Sequence, residues 1–149
     1  MTGPSLRERA IRYLARRDHS RAELARKLAD HGSPHEIEEV LDRLTELGLL
    51  SDARFADAWV RGKAARFGTA RLRHDLARRG VARDTVDAAL AAEGAADEFA
   101  RARQVWSTKF GRAPADARDW ARQARFLQSR GFGAELIRKL LKESPDESA

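Results

Sequence analysis

The chain has 149 residues, with 29 Lys and Arg against 23 Asp and Glu for a formal net charge of +6, and no cysteine. The length suits one domain of ordinary size, and the missing cysteines exclude disulfide scaffolds, thiolate chemistry and cysteine-ligated zinc while fitting a reducing cytosol. With 28 Ala, 16 Leu and 24 Arg against 13 Val, Ile and Thr together, a β-rich fold is excluded too, and the arginine-heavy charge favours a helical protein acting on something anionic.

Periodicity then gives the elements in order. A first helix is expected from about Ser5 to Arg17, with Leu6, Ala10, Ile11 and Leu14 on its buried stripe. Ser20 and Glu23 have capping-box spacing and start a second helix that turns Leu24 and Leu28 inward and ends at Gly32, a left-handed C-cap. Ser33-Pro34 opens a third, with Ile37, Val40, Leu41, Leu44 and Leu47 on its buried face and Gly48 at its end. Asp52 caps a fourth, carrying Phe55 and Trp59 inward to the break at Phe67-Gly68. A fifth holds Leu72 and Leu76 and stops at Gly80; a sixth holds Val86 and Leu90. In the seventh, Phe99, Ala102 and Trp106 share a face that ends at Phe110-Gly111, and Pro114 helps restart the chain. Trp120, Ala124 and Leu127 line an eighth helix ending at Gly131, and Leu136, Ile137, Leu140 and Leu141 a ninth, before a polar tail from Ser144.

The glycines expose a repeat. Leu28, Leu76 and Leu127 each lie four residues before Gly32, Gly80 and Gly131; Val86 then matches Ile137, and Leu90 matches Leu141. Apart from Ala and Met1, 34 apolar residues remain to fill cores: 13 in residues 1–50, 9 in 51–94 and 12 in 95–149. No segment can build one deep core, but each supplies a small bundle. The expectation is an all-α chain of three tandem three-helix repeats, 5–50, 51–94 and 95–143, in an elongated, curved array with a flexible tail at 144–149. Modules about 20 Å wide would extend roughly 60 Å. No run of 18 apolar residues exists and Met1–Leu6 offers no hydrophobic signal region, so a cytoplasmic protein without membrane contact is expected.

Charge is unevenly spread. Residues 6–17 carry net +4, and residues 69–80 and 117–130 carry +3 each, whereas residues 35–47 carry −4. At about 100° per residue, Arg9, Arg12 and Arg16 fall opposite the Ile11/Leu14 stripe; Arg118, Arg122 and Arg125 fall opposite Trp120 and Leu127; Arg71 and Arg78 share a line beside Leu72 and Leu76. One such stripe is an ordinary solvated face. Three, in corresponding modules with the acids gathered elsewhere, read as an electropositive track.

Other motifs have plainer readings. Residues 20–47 have the outline of a helix-turn-helix, but the would-be recognition helix carries five acids and a single Arg, and phosphates would repel it. His31 and His35 are separated by a helix-breaking Gly-Ser-Pro and read as surface histidines, as do His19 and His74; no metal site is expected. Gly131-Phe-Gly133 is a helix-terminating turn rather than a phosphate loop. Phe55, Trp59, Trp106 and Trp120 are expected in cores rather than stacked on bases, and Phe67 and Phe110 as anchors of turns. Acid pairs such as Glu38/Asp42 lack a cleft to shift their pKa, so no enzyme activity and no cofactor is expected.

Leu49-Leu-Ser-Asp-Ala-Arg-Phe-Ala-Asp-Ala-Trp59, continuing through Gly68-Thr-Ala-Arg-Leu-Arg-His-Asp-Leu76 to Arg79-Gly-Val81, resembles the RecX family of RecA modulators. Arg125-Phe-Leu-Gln-Ser-Arg-Gly-Phe132 is similar to that family's last repeat, and Tyr13 to Arg17 with Ser20 to Leu28 to its first, so the resemblance covers roughly residues 5–142. Trp59 stands where a Tyr or Phe is more usual. The resemblance implies tandem three-helix repeats in a curved, elongated molecule that binds in the groove of the RecA–single-stranded-DNA filament; a monomer is expected. There it would restrain ATP hydrolysis, strand exchange and LexA self-cleavage. Arg71, Arg78, Arg118, Arg122, Arg125, Arg9, Arg12 and Arg16 are the expected contacts to filament DNA or acidic RecA surface, with weak non-specific DNA binding alongside. The alternatives are a basic helical DNA-binding module acting without RecA, and a purely structural adaptor.

Overall fold

The computed structural model of the protein describes residues 3–93 and 97–142. The expected tail at 144–149 and the expected boundary at 94–95 lie outside the described residues. Among the described residues there are nine α-helices and no strand: α1 Leu6–Arg16, α2 Arg21–Leu28, α3 Pro34–Glu46, α4 Asp52–Lys63, α5 Thr69–Arg78, α6 Arg83–Ala92, α7 Glu98–Lys109, α8 Ala117–Ser129 and α9 Ala134–Lys142.

Local chemistry sets the starts. Ser5, Ser20, Ser33, Ser51 and Asp116 each stand in extended conformation before a helix and accept a hydrogen bond from the N–H three residues on, each contributing about 1 kcal/mol. Ser20/Glu23 is a complete capping box as expected, and Ser33/Glu36 is another, with Pro34 in the first turn.

The apolar residues form three separate cores. The first gathers Ala10, Leu24, Leu28, Ile37, Leu41, Leu44 and Leu50; the second centres on Phe55, Val60, Leu72, Leu76, Val86 and Leu90; the third on Ala102, Trp106, Leu127, Phe132, Ile137, Leu140 and Leu141. Every helix pair in extensive contact lies within α1–α3, α4–α6 or α7–α9. Three three-helix units result, each burying its own face.

The units meet through their middle helices, which stack end to end. The N-caps of α2, α5 and α8 (Ser20, Gly68 and Asp116) are 48 residues apart at each step. Ser20 Oγ donates to the carbonyl of Arg79, the C-cap of α5, at 2.6 Å; Gly68 N–H donates to the carbonyl of Arg130, the C-cap of α8, at 2.7 Å. Free carbonyls at one helix end thus meet the donors of the next, with the dipoles head to tail. Close approach requires glycine. Gly80 and Gly131 have φ of +80° and +94°; a Cβ on Gly80 would overlap Ala22, and one on Gly131 would lie 2.6 Å from the Arg71 nitrogen. Arg101 adds a strap from α7, donating to the carbonyls of Ala64 at 2.9 Å and Phe67 at 3.4 Å.

Four sequence expectations are corrected. Gly32 is not left-handed: α2 ends at Leu28, a turn follows, and the space a Gly32 side chain would take lies 3.1 Å from Leu6. The cap of α4 is Ser51, which leaves the Asp52 carboxylate free to accept the Arg21 N–H across the first junction at 2.8 Å. Ile11 is 39% exposed, because α1 packs along Leu6, Ala10, Tyr13 and Leu14 and position 11 falls past that stripe. Leu47, 42% exposed, lies beyond the last contact of α3, where the core uses Leu44 and Leu50.

Candidate nucleic-acid interface

The α5 helix forms because Leu72 and Leu76 are fully buried, and this fixes Arg71 and Arg78 on an outward line. Both line a groove of about 450 Å³ between the first two units, with Glu23 and Arg26 from α2, Trp59 and Lys63 from α4, and Phe67, Asp75 and Arg79. Its cations divide into two kinds. Arg71 stands 3.4 Å from Asp75, donates to the Ser129 carbonyl at 3.2 Å and lies 4.6 Å from the centre of the Phe67 ring, so it ties the second unit to the third. Arg79 lies 4.0 Å over Trp59, donates to the Asp75 carbonyl at 3.0 Å and stands 3.9 Å from Glu23. Arg26, Lys63 and Arg78 have no ion pair among the described residues; Lys63 Nζ lies 4.6 Å from the centre of the Trp59 ring.

Arg118, Arg122 and Arg125 are exposed along α8. Arg122 is held by Asp119 at 2.8 Å and lies 5.0 Å over Phe110. The Ala115 N–H, followed by Arg122, keeps the Asp119 carboxyl below its ordinary range. Arg118 and Arg125 have no ion pair among the described residues. On α1, Arg9, Arg12 and Arg16 flank Tyr13 around a shallow depression of about 230 Å³, Arg12 and Arg16 exposed and Arg9 half-buried. The predicted arginines therefore fall into three clusters, one per unit, and two of the eight are engaged in holding the fold.

The acids of α3 are occupied as well. Arg21 bonds Glu38 at 2.8 Å and Asp42 at 2.7 Å, Glu36 accepts the Ser33 N–H at 2.9 Å, and Glu39 lies 2.9 Å from His35. Burial works against the Arg21 charge, but Asp42 and Glu38 outweigh it and raise its pKa. Among the described residues no group of three or more His, Asp or Glu is placed to hold a metal, and no helix is long and apolar enough to cross a membrane.

Phe55 and Trp106 are core residues as expected, and the Trp106 indole donates to the buried Gln123 at 2.8 Å. Trp59 is only half-buried, and its Nε1 is enclosed without a protein partner. Trp120 is 37% exposed, because α8 has 13 residues where α2 has 8 and α5 has 10, and its first turn overhangs the core. His19 is not at the surface: its Nδ1–H donates to the Arg17 carbonyl at 3.0 Å and its Nε2 accepts from Lys27 at 3.0 Å. Burial lowers its pKa, outweighing the bond to Arg17. Sequence reasoning missed Arg26 and Lys63, which lie in mixed-charge helices without a basic stripe; Arg26 meets Lys63 and Arg78 only when the first two units dock.

Family models for the first, second and third three-helix domains of RecX match residues 7–44, 51–90 and 96–141, in that order. The chain belongs to the RecX family. The regulatory protein RecX of Leptothrix cholodnii is 51% identical over 144 residues, covering 96% of this chain and 91% of that protein. That of Chromobacterium violaceum is 43% identical over 146 residues, covering 97% and 94%. The crystal structure of RecX from Lactobacillus salivarius superposes with a TM-score of 0.78 at 18% identity, covering 93% of both chains, and so shares the fold. The all-α fold of three tandem three-helix repeats expected from the sequence is the RecX fold, and the relatives are regulatory proteins.

Proposed function

We propose that this chain is a cytoplasmic, non-catalytic regulator of RecA that acts as a monomer, binds along the RecA–single-stranded-DNA filament and restrains ATP hydrolysis, strand exchange and LexA self-cleavage. Its repeats are 5–50, 51–94 and 95–143. Arg78, Arg118, Arg125, Arg12 and Arg16, with Arg9, face filament phosphates or acidic RecA surface. Arg71 and Arg122 contribute mainly by holding their helices in place. The observation that carries this reading is that exposed arginines without ion pairs recur in three units whose middle helices stack end to end. A repeating ligand such as a filament matches a repeating row of cations, each phosphate contact adding to affinity and to its salt dependence.

The test is RecA ATPase on single-stranded DNA with increasing protein. Inhibition is expected, weakened by Arg78→Glu with Arg125→Glu at unchanged helicity. Full inhibition by that double variant refutes the assignment of these arginines. Tight, sequence-specific duplex binding with no effect on RecA replaces the reading with a stand-alone DNA-binding module.

A further inference from the structure

The groove between the first two repeats shares Arg78 with the exposed arginine rows but differs from them in shape. It is a concavity of about 450 Å³ walled by α2, α4 and α5, within the size range of small-molecule sites. Five cations line it against two acids, and both acids are already engaged: Asp75 by Arg71, and Glu23 by Arg17 at 3.5 Å and Arg79. Arg26, Lys63 and Arg78 are left as an uncompensated excess, approaching from three different helices. Trp59 and Phe67 supply low-dielectric walls that strengthen their pull on an anion.

Magnitude decides what such a site takes. A nucleic-acid strand brings one charge for about every 3.4 Å of axis and would leave at most one or two in this volume. A phosphate chain concentrates its charge on adjacent phosphorus atoms and can meet three converging cations at once. We propose that this groove is a binding site for a discrete ligand carrying a di- or triphosphate chain, held by Arg26, Lys63 and Arg78. Arg26 belongs to the first repeat and Lys63 and Arg78 to the second, so the ligand bridges the junction beside the Ser20–Arg79 bond. The proposal is independent of RecA: loss of the RecA effect would leave it standing.

The three tryptophans give three indole N–H signals in a ¹H–¹⁵N spectrum, with Trp59 assigned through Trp59→Phe. Titration of the full chain with inorganic tripolyphosphate is expected to shift the Trp59 signal saturably and to leave those of Trp106 and Trp120 in place. Arg26→Ala and Arg78→Ala should each weaken binding about tenfold without changing the melting temperature, while Arg138→Ala binds as the parent does. Adenosine triphosphate distinguishes the sources: equal affinity assigns the site to the phosphate chain alone, and tighter binding assigns it to a nucleotide. The proposal is overturned if tripolyphosphate leaves the Trp59 signal unmoved, if only an oligothymidylate moves it, or if the arginine variants bind unchanged.

Discussion

Substituting Gly131 by Ala tests whether the helix stack holds the repeats together. Gly131 has φ of +94°, where an L side chain is strained, and its Cβ would stand 2.6 Å from the nitrogen and 2.9 Å from the Cα of Arg71. The left-handed backbone costs about 1–2 kcal/mol, and forcing a methyl between two backbones adds about 1–3 kcal/mol. Gly48 separates the two terms: its φ is +75° but nothing lies within 4 Å of its would-be Cβ. Gly48→Ala therefore carries the strain alone. The gain from restricting the unfolded chain, about 0.4–1 kcal/mol, is common to both variants and cancels in the comparison. Urea unfolding followed by circular dichroism should show Gly131→Ala less stable than Gly48→Ala by about 1–3 kcal/mol. Its transition should also broaden, as the third repeat unfolds apart from the others. Equal losses for the two variants would mean that the close approach at Gly131 contributes nothing, and the stacked-junction account would fail.

The same junction chemistry ranks two serines. Ser20→Ala loses a cap and leaves the Arg79 carbonyl unpaired at a part-buried site, about 2–4 kcal/mol together, whereas Ser33→Ala loses only an exposed capping box, about 1 kcal/mol; denaturant midpoints in the reverse order refute the assignment. Because burial holds the His19 pKa below 6.5, the unfolded chain binds more protons than the folded one as the pH falls through that value. Stability is thus undiminished above pH 6.5 and declines below it, so melting temperatures should fall as the pH drops below about 6.5. His19→Gln should flatten that slope, and an unchanged slope assigns the pH dependence to other groups.

Sequence alone determined the helices and their grouping. Ser20/Glu23 capping, the leucines four residues before each repeat-ending glycine, and the three sets of apolar residues are local or periodic features, and both kinds of signal are written along the chain. It also showed which helices carry the positive charge. Tertiary structure decided everything that depends on what a neighbour covers. An amphipathic stripe gives the direction of a face but not where its cover ends, so Ile11, Leu47 and the overhanging Trp120 are exposed while His19, in a loop without periodicity, is buried. Gly32, Gly80 and Gly131 look alike in sequence, yet only the last two have positive φ and pack against another repeat. Arginine stripes likewise do not say which guanidinium has an acid or carbonyl within reach. Docking turns Arg71 into a brace and brings Arg26 beside Lys63 and Arg78, because such contacts join residues far apart in the chain whose separation is set only when the repeats stack.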